Sequence, residues 1–99
     1  MATLISSFSV VSAVRDFATR EGGRRALIAI QNELLREDSI ELDFAGGALT
    51  PSFADECIGG LAASLGIDEF KRRIHFANVP DSAKPLIRHV VLKRSQVAA

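Results

Sequence analysis

Tryptophan and tyrosine are absent from the 99 residues, so six phenylalanines carry all the aromatic packing. Cys57 is the single cysteine, which excludes an internal disulfide and a cysteine-based metal site. Its neighbours Phe53, Ile58 and Leu61 mark it as a small buried hydrophobe rather than a reactive thiol. Net charge is also missing: twelve basic residues cancel twelve acidic ones. Bulk charge therefore gives no reason to expect nucleic acid or an anionic membrane as a partner. No apolar run approaches the roughly 20 residues of a membrane-spanning helix, and the N-terminus lacks the basic and apolar regions of a signal peptide. A reducing cytoplasm is the expectation.

What is present is ordinary globular material, 47% hydrophobic and 24% charged, enough for one domain over residues 1–99. The charge is unevenly placed. Thr50 to Glu69 holds four acids and no base, whereas Phe70 to the end holds seven bases and one acid, Asp81. A surface polarised in this way can steer a partner, or it is simply a set of solvated helix faces.

Along the chain, Thr3 to Val11 alternates and is rich in β-branched and aromatic residues, which predicts a strand with one face partly buried, as at a sheet edge. Val14 to Phe17 reads as a second short extended piece. Thr19 is a cap for a helix whose first turn holds Gly22 and Gly23. Arg24 to Glu37 continues that helix, with Leu27, Ile30 and Leu34 as its apolar stripe, widened by Ile28 and Leu35. Ile40, Leu42 and Phe44 alternate with Glu41 and Asp43 in a second strand, followed by Gly46-Gly47.

Phe53 to Leu65 is the next helix, with Phe53, Cys57, Leu61 and Leu65 on one face and Gly66 as its left-handed terminator, locked by Ile67. Gly59 and Gly60 sit inside it, each costing about 1 kcal/mol relative to alanine. Close approach of another backbone offsets that cost, or a docked partner does. Asp68 caps a short turn through Lys71, and Ile74 to Val79 forms a strand closed by Pro80. The last helix starts at Asp81 or Ser82 with Pro85 in its first turn. Its stripe is Leu86, Ile87, Val90 and Val91, and Ser95 to Ala99 frays. The order β-α-β-α-β-α predicts an α/β domain: a small, mostly parallel (mixed) sheet with an antiparallel edge strand and covering helices.

The mouth of the helix after the central strand is the best candidate site. Either Thr50 caps it with Pro51 at the first helical position, or Ser52 caps it with Asp55 three residues on. Both place Ser52 near the positive end of the helix, where a phosphoryl group is tolerated, although Asp55 and Glu56 repel it. His75 and His89 have no metal-ligand spacing around them, no nucleophile elbow is present, and Gly46-Gly47 lacks the residues of a phosphate loop. No catalytic residue, metal or cofactor is expected.

Leu42-Asp43-Phe44, Thr50-Pro51-Ser52-Phe53-Ala54-Asp55-Glu56, Gly59-Gly60-Leu61 and Leu65-Gly66 resemble the STAS-like family of small prokaryotic domains. Arg20, Gly22, Arg24, the run Phe70 to Ile74 and Asn78 extend the likeness over nearly all the chain beyond Phe17. That family is similar to the anti-sigma-factor antagonists, in which a partner kinase of GHKL-type ATPase fold phosphorylates a serine at this helix start. The resemblance implies that Ser52 matches that serine, although the Asp-Ser-Ser-Gly signature is here Thr50-Pro51-Ser52-Phe53.

The leading expectation is a non-enzymatic, partner-switching interaction module. Ser52 or Thr50 serves as phospho-acceptor or helix cap, and Asp55, Glu56 and Gly59 form the partner-binding face. A second is a sensor of a nucleotide or other anion held by Arg20 and Arg24 at the mouth. A third is a homo-oligomer built on the edge strand Leu4 to Val10.

Overall fold

The structure, a computed structural model, describes residues 6–95. Three strands form its sheet in the order β1 (Ser6–Ser9), β2 (Ile40–Asp43), β3 (Ile74–Ala77). Both pairings are parallel, with Ser6, Ile40 and Ile74 in one row and Phe8, Leu42 and Phe76 in another. Parallel neighbours require long crossovers, and helices supply them. The antiparallel edge strand is not found among the described residues, and residues 1–5 lie outside them.

β1 stops at Ser9 rather than Val11 because the Ser9 hydroxyl accepts the Ser12 N–H at 3.2 Å, capping a single helical turn, α1 (Val10–Ala13). Residues 14–17 belong to no strand. Helix α2 (Arg20–Leu34) is capped by Thr19, whose hydroxyl accepts from Gly22 N–H at 3.1 Å and donates to the Asp16 carboxylate. Its buried face is Gly22, Gly23, Ala26, Ile30 and Leu34. Ile28 and Leu35, expected to widen the stripe, are 49% and 84% exposed. Glycine and alanine carry the contact: a Cβ on Gly23 would meet the Phe53 carbonyl oxygen at 2.8 Å, so only a bare backbone packs this closely.

After β2, residues 51–65 form one rod in three parts: α3 (Pro51–Ala54), a π-helical turn (Asp55–Gly59) and α4 (Gly60–Leu65). The four-residue spacing of Phe53, Cys57, Leu61 and Leu65 predicts a plain helix, and the wide turn departs from it. It is the hub of the molecule, with α2 against one side and α6 (Lys84–Ser95) against another. The two mid-rod glycines answer side chains rather than a backbone. A Cβ on Gly59 would meet Arg94 Cγ at 2.8 Å, and one on Gly60 would meet Leu27 Cδ2 at 2.8 Å.

Gly66 ends the rod at φ +81°, ψ 159°, outside the left-handed helical region that was expected. That conformation, open to glycine alone, turns the chain at once into α5 (Ile67–Arg73). Asp68 lies in the first turn of α5 and does not cap it. After β3, a 3₁₀ turn over Asp81–Ala83 leads into α6, with Pro85 near its start. Ser95, expected to fray with the tail, is the last residue of α6, and the rest of that tail, 96–99, lies outside the described residues.

One face of the sheet is the core face. Ile40, Leu42 and Phe44 are fully buried there, packed with Phe53, Cys57 and Ile58 of the rod and Ile30 of α2 in a single apolar cluster. The opposite face carries Ser7, Ser9, Glu41, Asp43, His75 and Ala77, none of them buried. Among the described residues, no helix is long and apolar enough to cross a membrane.

Candidate functional site

The competition for the helix mouth is resolved by hydrogen bonds. Thr50 is the cap: its hydroxyl accepts Phe53 N–H at 3.2 Å and donates to the Ala18 carbonyl at 2.6 Å, while Thr50 N–H reaches the Phe17 carbonyl at 3.3 Å. Pro51 takes the first helical position, where its missing N–H costs nothing. The cap thus also stitches the mouth to the loop before α2. Ser52 is not the cap. It is exposed, one residue into the helix.

Asp55 and Glu56 follow one turn on, and both are half-buried in a clasp of arginines. Arg20 Nη1 lies 2.9 Å from Asp55 Oδ2 and 3.0 Å from Glu56 Oε1. Arg24 approaches Glu56 at 3.6 Å. From α6, Arg94 Nη1 reaches Asp55 Oδ2 at 3.2 Å and donates to the Asp55 carbonyl at 3.1 Å. Burial raises the Asp55 pKa, but the hydrogen bonds from Arg20 and Arg94 outweigh it and leave the carboxyl below its ordinary value. The same bonds to Asp55 and Glu56 push Arg20 further toward its charged form.

This arrangement changes the expected site in two respects. Arg20 and Arg24, expected to hold an anion from solution, hold Asp55 and Glu56 instead. Gly59, expected on the partner face, is buried, and the space of its absent side chain is taken by Arg94. Asp55 and Glu56 keep an accessible edge.

Beside Ser52 runs a groove of about 230 Å³ between the start of α3 and α6, lined by Arg20, Pro51, Ser52, Asp55, Leu86, His89, Val90 and Lys93. Sequence reasoning missed His89 and Lys93 in this groove and Arg94 in the clasp. The residues were visible, but their placement beside Ser52 and Asp55 depends on how α6 crosses the rod. His75, by contrast, stands on the polar face of the sheet in the row of Glu41 and Ser7.

Cys57 lies beneath the clasp with no exposure, and burial, helped by the charge of Glu56, pushes its thiol up to about 12. It is an inert packing residue. Among the described residues no group of three or more His, Cys, Asp or Glu is placed to hold a metal ion.

Comparison of the chain with curated proteins and with solved structures gives no match. The family model described as a STAS-like domain of unknown function (DUF4325) matches residues 22–84, from the first turn of α2 to the first residue of α6, and the chain belongs to that family.

Proposed function

We propose that this STAS-like domain is a non-enzymatic regulatory module that binds a protein partner at the mouth of the 51–65 rod, with Ser52 as the residue whose modification switches binding. The observation that carries this reading is the setting of Ser52. Its side chain is exposed at a helix N-terminus, on the rim of a groove that also holds Arg20, His89 and Lys93. A phosphoryl group there gains from the helix dipole and from Lys93 across the groove. The acids one turn away weaken that gain little, because Arg20, Arg24 and Arg94 already offset their charge. Thr50, the other hydroxyl at the mouth, is engaged in the cap.

The partner class that fits is a GHKL-type ATPase or kinase, by resemblance of the strand-loop-helix to anti-sigma-factor antagonists. The contact surface is Ser52, the open edges of Asp55 and Glu56, and the flanking groove. The test is affinity capture from native extract with wild type and Ser52→Asp, followed by incubation of the captured material with ATP. A kinase-like ATPase held by wild type, lost by Ser52→Asp, and adding one phosphoryl group to wild type but not to Ser52→Ala is the expected result. Capture that ignores Ser52→Asp, with no ATP-dependent mass gain at Ser52, would sink the switch.

A further inference from the structure

A second cleft lies at the carboxyl end of the sheet and shares no residue with the Ser52 groove. One cavity in it, about 360 Å³, sits between the end of β3 and the first turns of α6. Phe76, Asn78, Val79, Lys84, Ile87 and Arg88 line it. That volume falls in the lower part of the range for small-molecule sites. An adjoining hollow, lined in part by Ala45 and Gly46, shares Asn78 and Val79 with it.

The loops around the cleft are held in advance. Asp43 Oδ1 accepts Ala45 N–H at 2.8 Å and Asn78 Nδ2 at 2.9 Å, and Gly46 N–H donates to the Asn78 carbonyl at 2.6 Å. Ala45 and Asn78 both take left-handed backbone conformations, φ +52° and +54°. Such strain persists only where surrounding contacts impose it. Asn78 keeps its side-chain oxygen as an acceptor, since its amide nitrogen serves Asp43.

Charge selects the occupant. Phe76, Val79 and Ile87 give an apolar wall, and Lys84 and Arg88, one turn apart on α6, give a cationic rim. Lys84 lies 2.8 Å from Asp81, an exposed and therefore screened pair. Arg88 is exposed and forms no ion pair among the described residues. We propose that this cleft binds a small amphipathic anion, its carboxylate or phosphate paired with Arg88 and Lys84 and its apolar body against Phe76, Val79 and Ile87.

The test is an amide NMR titration of the full chain with 1-naphthyl phosphate, with 1-naphthoate, neutral 1-naphthol and inorganic phosphate as further arms. Expected are saturable shifts at Phe76, Asn78, Val79, Ile87 and Arg88, with 1-naphthol or the Arg88→Gln variant about fivefold weaker. Inorganic phosphate alone should give no saturation, because it lacks the apolar body. Tighter binding of the phosphate ester or of the carboxylate identifies the head group, and either supports the site. Equal binding of 1-naphthol, an unchanged affinity in Arg88→Gln, shifts centred on Ser52 and Arg20, or no saturation at millimolar probe overturns it. Arg88 is exposed, so its substitution leaves the core intact. Ser52→Asp should leave this binding unchanged, which separates failure here from failure of the partner switch.

Discussion

At the helix mouth, two hydroxyls two residues apart divide the work. Thr50 satisfies a free helix amide and ties the rod to residues 17 and 18, whereas Ser52 takes no part in the cap. Thr50→Ala should therefore cost about 1 kcal/mol in urea unfolding, the typical loss for a helix cap. Ser52→Ala, on the surface, should stay within about 0.5 kcal/mol of wild type. Equal losses, or a larger one at Ser52, would mean that the cap is misassigned. The sequence left both caps open because both obey the same local rule, and the distant Phe17 and Ala18 carbonyls that hold Thr50 in place are outside its reach. The glycines teach a related lesson. Helical spacing weights large apolar residues, so it placed Ile28 and Leu35 inside. The close contact of α2 is made by Gly22, Gly23 and Ala26, whose small size is the reason for burial and the reason they carry no hydrophobic signal.

Among the elements, the three strands were the most legible, since the alternation of Ile40, Leu42 and Phe44 is a local property and β2 follows it. The π turn was not legible, because it reflects what α2 and α6 press against it. Nor was the clasp: Arg20 and Arg94 stand 35 and 39 residues from Asp55. The pH dependence of stability follows from that clasp. The folded pKa of Asp55 is lowered, so its stabilisation is fully present above the ordinary carboxylate value and is lost as pH falls through the depressed one. Asp16, Asp43, Glu69 and Asp81 are lowered too, by hydrogen bonds from Thr19, Asn78, Arg72 and Lys84 respectively, and act in the same direction. Asp55→Asn should cost about 1 kcal/mol near neutral pH, a cautious figure for a pair with one exposed partner. In urea melts from about pH 7 down to about pH 3, the gap between variant and wild type should close on the acid side. A gap of constant size would show that the charge of Asp55 contributes nothing.

Over the whole molecule, the uneven charge of the sequence is partly cancelled by folding. Asp55 and Glu56, half of the acids between residues 50 and 69, are paired with arginines from both sides, and Glu69 is paired with Arg72. The basic excess of the C-terminal third survives on α6, where Arg88 and Lys93 stand exposed. Helix α6 thereby borders both the Ser52 groove and the second cleft, and Arg94 fastens it to the hub. Cys57 lies inside that hub with no exposure and a thiol pushed up to about 12, so a thiol reagent must wait for the structure to open. In native buffer at about pH 8, labelling of Cys57 by a chromogenic disulfide should run far slower than that of a short unfolded peptide. Arg94→Met keeps an apolar side chain over Gly59 but removes both bonds to Asp55. A loss of about 1 kcal/mol there should raise the labelling rate about fivefold where opening limits reaction as a pre-equilibrium. If wild-type Cys57 labels as fast as the peptide, the hub is open in solution. If Arg94→Met lowers urea stability without changing the labelling rate, the thiol is reached by a local opening that leaves the α6 clasp closed.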